Sequence, residues 1–207
     1  MKKIKIIVIA ISFLSFISLP ASAQNGTLKL DLNYNYSIPV SGFKTDLISN
    51  TSPRGFRGGI MYAFSNKLEA GLSFGYQDYY QKYPRSIYAL SKTQDVSAVL
   101  SNSIQTTTFL LKARYFPLNI NTVKPYISVG AGTNLVDFKQ YLGEFGSSQT
   151  SVQFLAQGGI GIMIPIGRLK TSGINVGAIY DYTPYKKLGY NNLNNVNLQA
   201  GIAFQLK

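Results

Sequence analysis

Residues 55–80 read GFRGGIMYAFSNKLEAGLSFGYQDYY. Every second residue from Phe56 gives Phe56, Gly58, Ile60, Tyr62 and Phe64, and every second residue from Leu68 gives Leu68, Ala70, Leu72, Phe74 and Tyr76. Arg57 and Glu69 fall on the alternate phase. A period of two is that of a β-strand, whose successive side chains point to opposite faces. Ser65-Asn66-Lys67 is short enough to be a turn, so the stretch predicts a hairpin with one apolar and one polar face.

Outward from this hairpin the same pattern recurs. Eight alternating segments run near 27–37, 55–64, 68–79, 104–116, 124–137, 151–164, 173–183 and 194–206. The apolar phase of the first is Leu28, Leu30, Leu32, Tyr34 and Tyr36, and that of the last is Val196, Leu198, Ala200, Ile202 and Phe204. Within the spans of these apolar rows, the charges lie on the other phase: Lys29, Asp31, Arg57, Glu69, Lys112, Arg114 and Asp181. Short links (65–67, 117–123 and 165–172) alternate with long ones (38–54, 80–103, 138–150 and 184–193). This predicts an all-β, eight-stranded antiparallel up-and-down barrel with its short turns at one end.

Alternation does not say which face is outside. A soluble, lipocalin-like carrier turns the apolar face inward, and a transmembrane barrel turns it to lipid. Two features favour lipid. The apolar face is aliphatic in the middle and aromatic at its ends, with Tyr34, Tyr36, Phe56, Tyr76, Phe154, Tyr180 and Tyr182 at one end and Tyr62, Phe64, Tyr115 and Phe204 at the other. That is the expected girdle at two membrane interfaces. The polar face is rich in glycine (Gly71, Gly75, Gly130, Gly132, Gly159, Gly161, Gly177 and Gly201), which makes room in a narrow lumen.

The totals agree. The chain has 207 residues, 20 Lys plus Arg against 8 Asp plus Glu, a formal net charge of +12, and no Cys, His or Trp. The charged fraction, 14%, is low beside roughly 25% for a soluble domain. Without Cys there is no disulfide or thiolate metal site, and without His there is no Ser-His-Asp triad. Asp78 and Asp95 in or near a loop make no acid–base pair, and Gly130-x-Gly132 and Gly159-x-Gly161 lack the third glycine of a dinucleotide fingerprint. No enzymatic activity, cofactor or metal is expected. Residues 1–23 read as a cleaved secretory signal: Lys2, Lys3 and Lys5, an apolar run from Ile6 to Leu19, then Pro20 and the cleavage site Ala21-Ser22-Ala23. Residues 24–207 form the barrel domain, with both termini on the periplasmic side.

The whole mature chain resembles the small outer-membrane β-barrel proteins of Gram-negative bacteria (the porin or outer membrane beta-barrel domain family), similar in architecture to OmpA and OmpX. The likeness is carried by the leader and by GFRGGIMYAFSNKLEAGLSFGYQDYY (55–80), FLLKARYFPLN (109–119), KPYISVGAGTNL (124–135) and AQGGIGIMIPIG (156–167). These runs specify a barrel, not an activity. Such barrels usually end in an aromatic residue, whereas here Phe204 is followed by Gln205, Leu206 and Lys207.

Eight strands enclose a space that side chains fill. Strand n is expected to face strand n+4, so that Arg57 meets the Gly159/Gly161 strand and Lys112 and Arg114 meet the Gly201 strand. Lys29, Asp31, Arg57, Glu69, Lys112 and Arg114 are the expected lumen charges. Glu69 and Asp31 are expected to pair with Arg114 and Lys112 near the periplasmic end and close the lumen. Three roles follow: an envelope barrel with surface loops, a narrow passive channel for small solutes, or a soluble periplasmic carrier. Lys44, Arg54, Lys82, Arg85, Lys92, Lys139, Lys186 and Lys187 in or beside the long loops suit the phosphates of lipopolysaccharide. They are too dispersed for nucleic acid. The loop segment Tyr79, Tyr80, Lys82, Tyr83 and Arg85 is the expected contact for a ligand or partner, and a monomer is expected.

Overall fold

The computed structural model describes residues 26–91, 94–118, 122–167, 172–187 and 190–206. Eight strands form the wall: β1 Thr27–Pro39, β2 Gly55–Ala63, β3 Leu68–Lys82, β4 Leu100–Tyr115, β5 Lys124–Leu142, β6 Phe145–Ile166, β7 Ser172–Tyr182 and β8 Asn195–Gln205. Each pairs antiparallel with its neighbour in sequence, and β8 returns to β1 (Leu32 opposite Ile202, Tyr36 opposite Leu198), closing the barrel. Closure leaves no open sheet edge, which a hydrocarbon surrounding requires of any backbone crossing it.

The exterior is apolar. Leu72, Leu111 and Ile160 are 64%, 70% and 66% exposed, while Asp31 and Arg114 on the other phase are 1% and 2% exposed. This is the reverse of a soluble barrel, and it is incompatible with a lipocalin-like carrier. The eight strand positions follow the sequence periodicity.

The loop end differs from expectation. The segment 138–150 is not a loop: β5 and β6 stay paired to Leu142 opposite Phe145, around a two-residue turn at Gly143 and Glu144. Gly143 has φ +62°, the first-position geometry of a type II′ hairpin turn that glycine adopts without strain. Likewise β3 and β4 stay paired to Lys82 opposite Ser101, and a small hairpin (Ser86–Ser91 with Gln94–Ala98) occupies the rest of that connection. A second hairpin, Pro184–Lys187 with Tyr190–Asn192, joins β7 to β8. The β1–β2 connection holds a π-helical turn, Phe43–Leu47.

The sequence signal faded because the apolar phase inverts there. Below Tyr76 and Leu135 the outward row is apolar. Above them the outward positions are Asp78, Tyr80 and Lys82 on β3 and Asp137, Lys139 and Tyr141 on β5, and the buried inward positions are Tyr79, Ile104, Val136 and Phe138. The inversion marks where the barrel leaves hydrocarbon. Above it, the wall follows the ordinary rule of a water-soluble sheet.

Candidate functional site

The interior is built in layers. At the turn end, Arg114 of β4 pairs with Asp31 of β1 and, at 3.5 Å, with Glu69 of β3. Glu69 also pairs with Lys29. The register makes this local: Glu69 lies directly opposite Arg114 on the neighbouring strand. The Arg114 guanidinium also lies over the Tyr126 ring, 5.4 Å from its centroid. Below it, Phe116, Tyr126, Met163 and Ala203 form an apolar floor. Removing one partner from such a buried group leaves an uncompensated charge, a cost of roughly 3–5 kcal/mol.

Amides fill the middle. The Tyr126 hydroxyl donates to Asn175 Oδ1 (2.6 Å) and accepts from Gln199 Nε2 (3.0 Å), and Asn175 Nδ2 donates to Asn33 Oδ1 (2.9 Å). Higher up, Arg57 Nη2 meets Asp181 Oδ2 at 2.9 Å. Asp181 also accepts from Gln157 and Asn197, both at 2.8 Å. Met61, Leu110, Leu155 and Ile179, on the inward rows of their strands, are buried as well.

A second apolar layer closes the loop end. Phe43, Leu47 and Ile48, from the β1–β2 connection, are inserted into the mouth against Tyr79, Ile104, Val136 and Phe138 of the wall and Tyr185 and Leu193 of the last connection. The Phe43 and Tyr79 rings meet edge-on at 4.8 Å. The Leu47 carbonyl accepts from Tyr83 Oη (2.9 Å) and Asn102 Nδ2 (3.1 Å), which pins the turn in place.

Little space remains along the axis. A vestibule of about 120 Å³ lies at the turn end among Lys29, Glu69, Phe116 and Lys124. The space beside Arg57 and Asp181 is about 10 Å³, and the space between Asp31, Arg57, Lys112 and Arg114 is about 0 Å³. One water needs roughly 10–15 Å³ on this measure, so these two spaces are each about the size of a single water or smaller.

The expected lumen residues are therefore all interior, with different partners. Lys29, Asp31, Glu69 and Arg114 come together. Lys112 does not join them: it is 5% exposed and forms no ion pair among the described residues. Arg57 finds Asp181 on β7 rather than a glycine gap on β6. The n+4 rule fails because barrel strands are tilted and staggered, so groups at one height on opposite walls come from shifted strands. The glycines do more than vacate space. A Cβ on Gly71 would run into the Ile60 carbonyl of the adjoining strand, so close backbone approach requires glycine there; Gly161 does make room, for the Tyr126 hydroxyl.

The expected girdle side chains point outward. Tyr34, Phe56, Tyr180 and Tyr182 are exposed at the loop-end boundary, and Tyr62, Phe64, Tyr115 and Phe204 at the turn end. Tyr76 is half-buried and stacks on Phe56 at 5.8 Å, and half-buried Tyr36 shares a hydrogen bond with Thr51 (2.7 Å). The expected loop contact splits. Tyr80, Lys82 and Arg85 are exposed, but Tyr79 is 1% exposed and bonded to Ser37 inside the barrel (2.6 Å), and Tyr83 is tied to Leu47. Tyr79 lies on the inward phase of β3, which the loop reading overlooked. The expected signal segment 1–23 and Lys92 lie outside the described residues. No group of His, Cys, Asp and Glu suited to a metal ion occurs among the described residues.

The closed eight-stranded wall with an apolar exterior defines a membrane β-barrel. The chain belongs to the outer membrane protein beta-barrel domain family, which it matches over residues 9–205. No curated protein matches it. Among solved structures it is similar to the outer membrane protein OprG of Pseudomonas aeruginosa (14% identity, TM-score 0.50, covering 87% of this chain and 96% of that one). It is also similar to Neisserial surface protein A (16%, 0.48, 88% and 98%). A third is the N-terminal barrel domain of Pseudomonas aeruginosa OprF (14%, 0.47, 88% and 98%). At these identities the likeness is one of fold.

Proposed function

We propose that this protein is a non-conducting, non-enzymatic barrel with a structural role in the envelope. On this reading residues 1–23 direct export, both termini lie in the periplasm, and the loop end faces the cell exterior. The observation that carries the proposal is the series of blocks along one axis: the Asp31–Arg114–Glu69–Lys29 layer, the Arg57–Asp181 layer and the Phe43–Leu47 cap. A channel needs one continuous wet path, and on this reading each layer interrupts it. The lack of His and Cys supports a non-catalytic role. The cations Arg54, Lys82, Arg85 and Lys139 stand exposed or half-exposed near the loop end, suited to lipopolysaccharide phosphates. Planar bilayer recording on the purified protein tests the closed lumen. The expected result is no steady conductance. A steady, anion-selective current would establish the narrow passive channel instead.

A further inference from the structure

Above the girdle, the outward row of β4 is a strip of small polar side chains: Thr107, Gln105, Ser103 and Ser101, all half-exposed. Its walls are different. On the β3 side Tyr80 stands opposite Ser103, and Lys82 opposite Ser101. On the β5 side Lys139 stands opposite Ser103, and Tyr141 opposite Ser101. Tyr80 thus faces Lys139 and Lys82 faces Tyr141 directly across a hydroxyl floor, on strands two spacings and so about 10 Å apart. At the foot of the strip Arg54 lies beside Asp78 (3.3 Å), and Lys139 beside Asp137 (3.1 Å). Three cations thus outnumber two carboxylates.

We propose that this strip is a seat for the phosphorylated sugars of lipopolysaccharide. The inference rests on the outer-membrane placement above and adds the surface, the orientation and the chemistry. The strip starts at the girdle, where headgroups begin, and runs away from the hydrocarbon along β4. The saccharide of a glycolipid anchored in the same leaflet runs the same way. Each component has a counterpart: Lys82, which forms no ion pair among the described residues, together with Lys139 for phosphate, the floor hydroxyls and Gln105 for sugar hydroxyls, and the Tyr80 and Tyr141 rings for the apolar faces of the sugars, with their own hydroxyls at the wet edge. Among the described residues the walls of the strip stay accessible, with Tyr80 and Tyr141 each 47% exposed.

The test uses the full protein refolded in detergent and titrated calorimetrically with rough lipopolysaccharide, which carries lipid A and inner-core sugars. Ser103→Trp fills the floor, and Lys139→Glu reverses one wall. Lys67→Glu, in the β2–β3 turn at the opposite end, is the charge control. The expected result is at least a tenfold loss of affinity for each strip variant, none for Lys67→Glu, and a comparable loss when the lipopolysaccharide is dephosphorylated. Unchanged binding by both strip variants overturns the seat, as does equal loss in Lys67→Glu or equal affinity for phosphatidylglycerol micelles. No binding by the wild-type protein also overturns it. Heat-modified gel mobility and membrane fractionation of the same samples report separately on the barrel placement, so failure of one reading is distinguishable from failure of the other.

Discussion

Arg57 on β2 and Asp181 on β7 meet across the barrel axis at 2.9 Å, each 5% or less exposed. The two ends of this pair are not equivalent. Asp181 keeps amide donors from Gln157 and Asn197 if Arg57 is lost. If Asp181 is lost, Arg57 has no counter-charge, and Lys112 lines the same narrow space as Arg57 with no ion pair of its own among the described residues.

Asp181→Leu is therefore expected to destabilise the barrel by roughly 3–5 kcal/mol, the range for orphaning a buried charge. Arg57→Met is expected to cost less, about 1–3 kcal/mol, because hydrogen bonds to the carboxylate survive. Reversible urea unfolding in lipid vesicles measures both. Equal losses would show that the amides contribute nothing to holding Asp181.

This pairing also shows what was legible in the chain. The faces of all eight strands could be read, because a membrane demands an unbroken apolar row and each row is local in sequence. Leu68 to Tyr76 needs no knowledge of any other strand. Which charge meets which could be read only in part. Glu69 and Arg114 lie on adjacent strands at one register, whereas Arg57 and Asp181 meet through the stagger of the whole barrel. The loop-end cap was hidden for a different reason: Tyr79, Ile104, Val136 and Phe138 belong to the phase that is polar lower down. The readable clue was that the apolar phase changes where Asp78, Asp137 and Lys139 appear on the other side.

The cap supports a prediction about local rather than global stability. Phe43 and Leu47 are fully buried but belong to a connection, not to the hydrogen-bonded wall. Phe43→Ala with Leu47→Ala is expected to release the 40–54 segment to protease at least tenfold faster, with heat-modified mobility of the barrel retained. Core truncations of this size cost roughly 2–5 kcal/mol each where the site cannot collapse, more than enough to open a segment. Limited proteolysis of folded protein reads the effect. Simultaneous loss of the folded gel band would mean that the cap and wall are one cooperative unit.

Two glycines separate backbone crowding from mere tolerance. A Cβ on Gly71 meets the Ile60 carbonyl, whereas one on Gly158 meets nothing within 4 Å. Gly71→Val is expected to abolish the folded gel band. Gly158→Ala is expected to be neutral or to stabilise by about 0.5 kcal/mol, since glycine within a strand is costly relative to alanine. Refolding yield and urea midpoint measure the two, and similar behaviour would remove the crowding argument.

The level of the phase inversion fixes the outer edge of the hydrocarbon, and charge scanning measures it. Leu72 lies mid-strand on the lipid face and is 64% exposed, so Leu72→Arg places a cation near the bilayer centre at a cost of about 2–4 kcal/mol. Thr150 lies on the same outward face of β6, opposite Asp137 and one step beyond Val152, the last apolar residue of its row. Thr150→Arg should cost only about 0–1 kcal/mol, because that height is already wet. The carboxylate of Asp137, which accepts from the Thr150 hydroxyl at 3.1 Å, supplies a counter-charge there. Unfolding free energies in vesicles of one lipid composition give the comparison directly. A penalty at Thr150 as large as that at Leu72 would put the edge of the hydrocarbon above Asp137, and the inverted rows of Tyr79, Val136 and Phe138 would then need another cause.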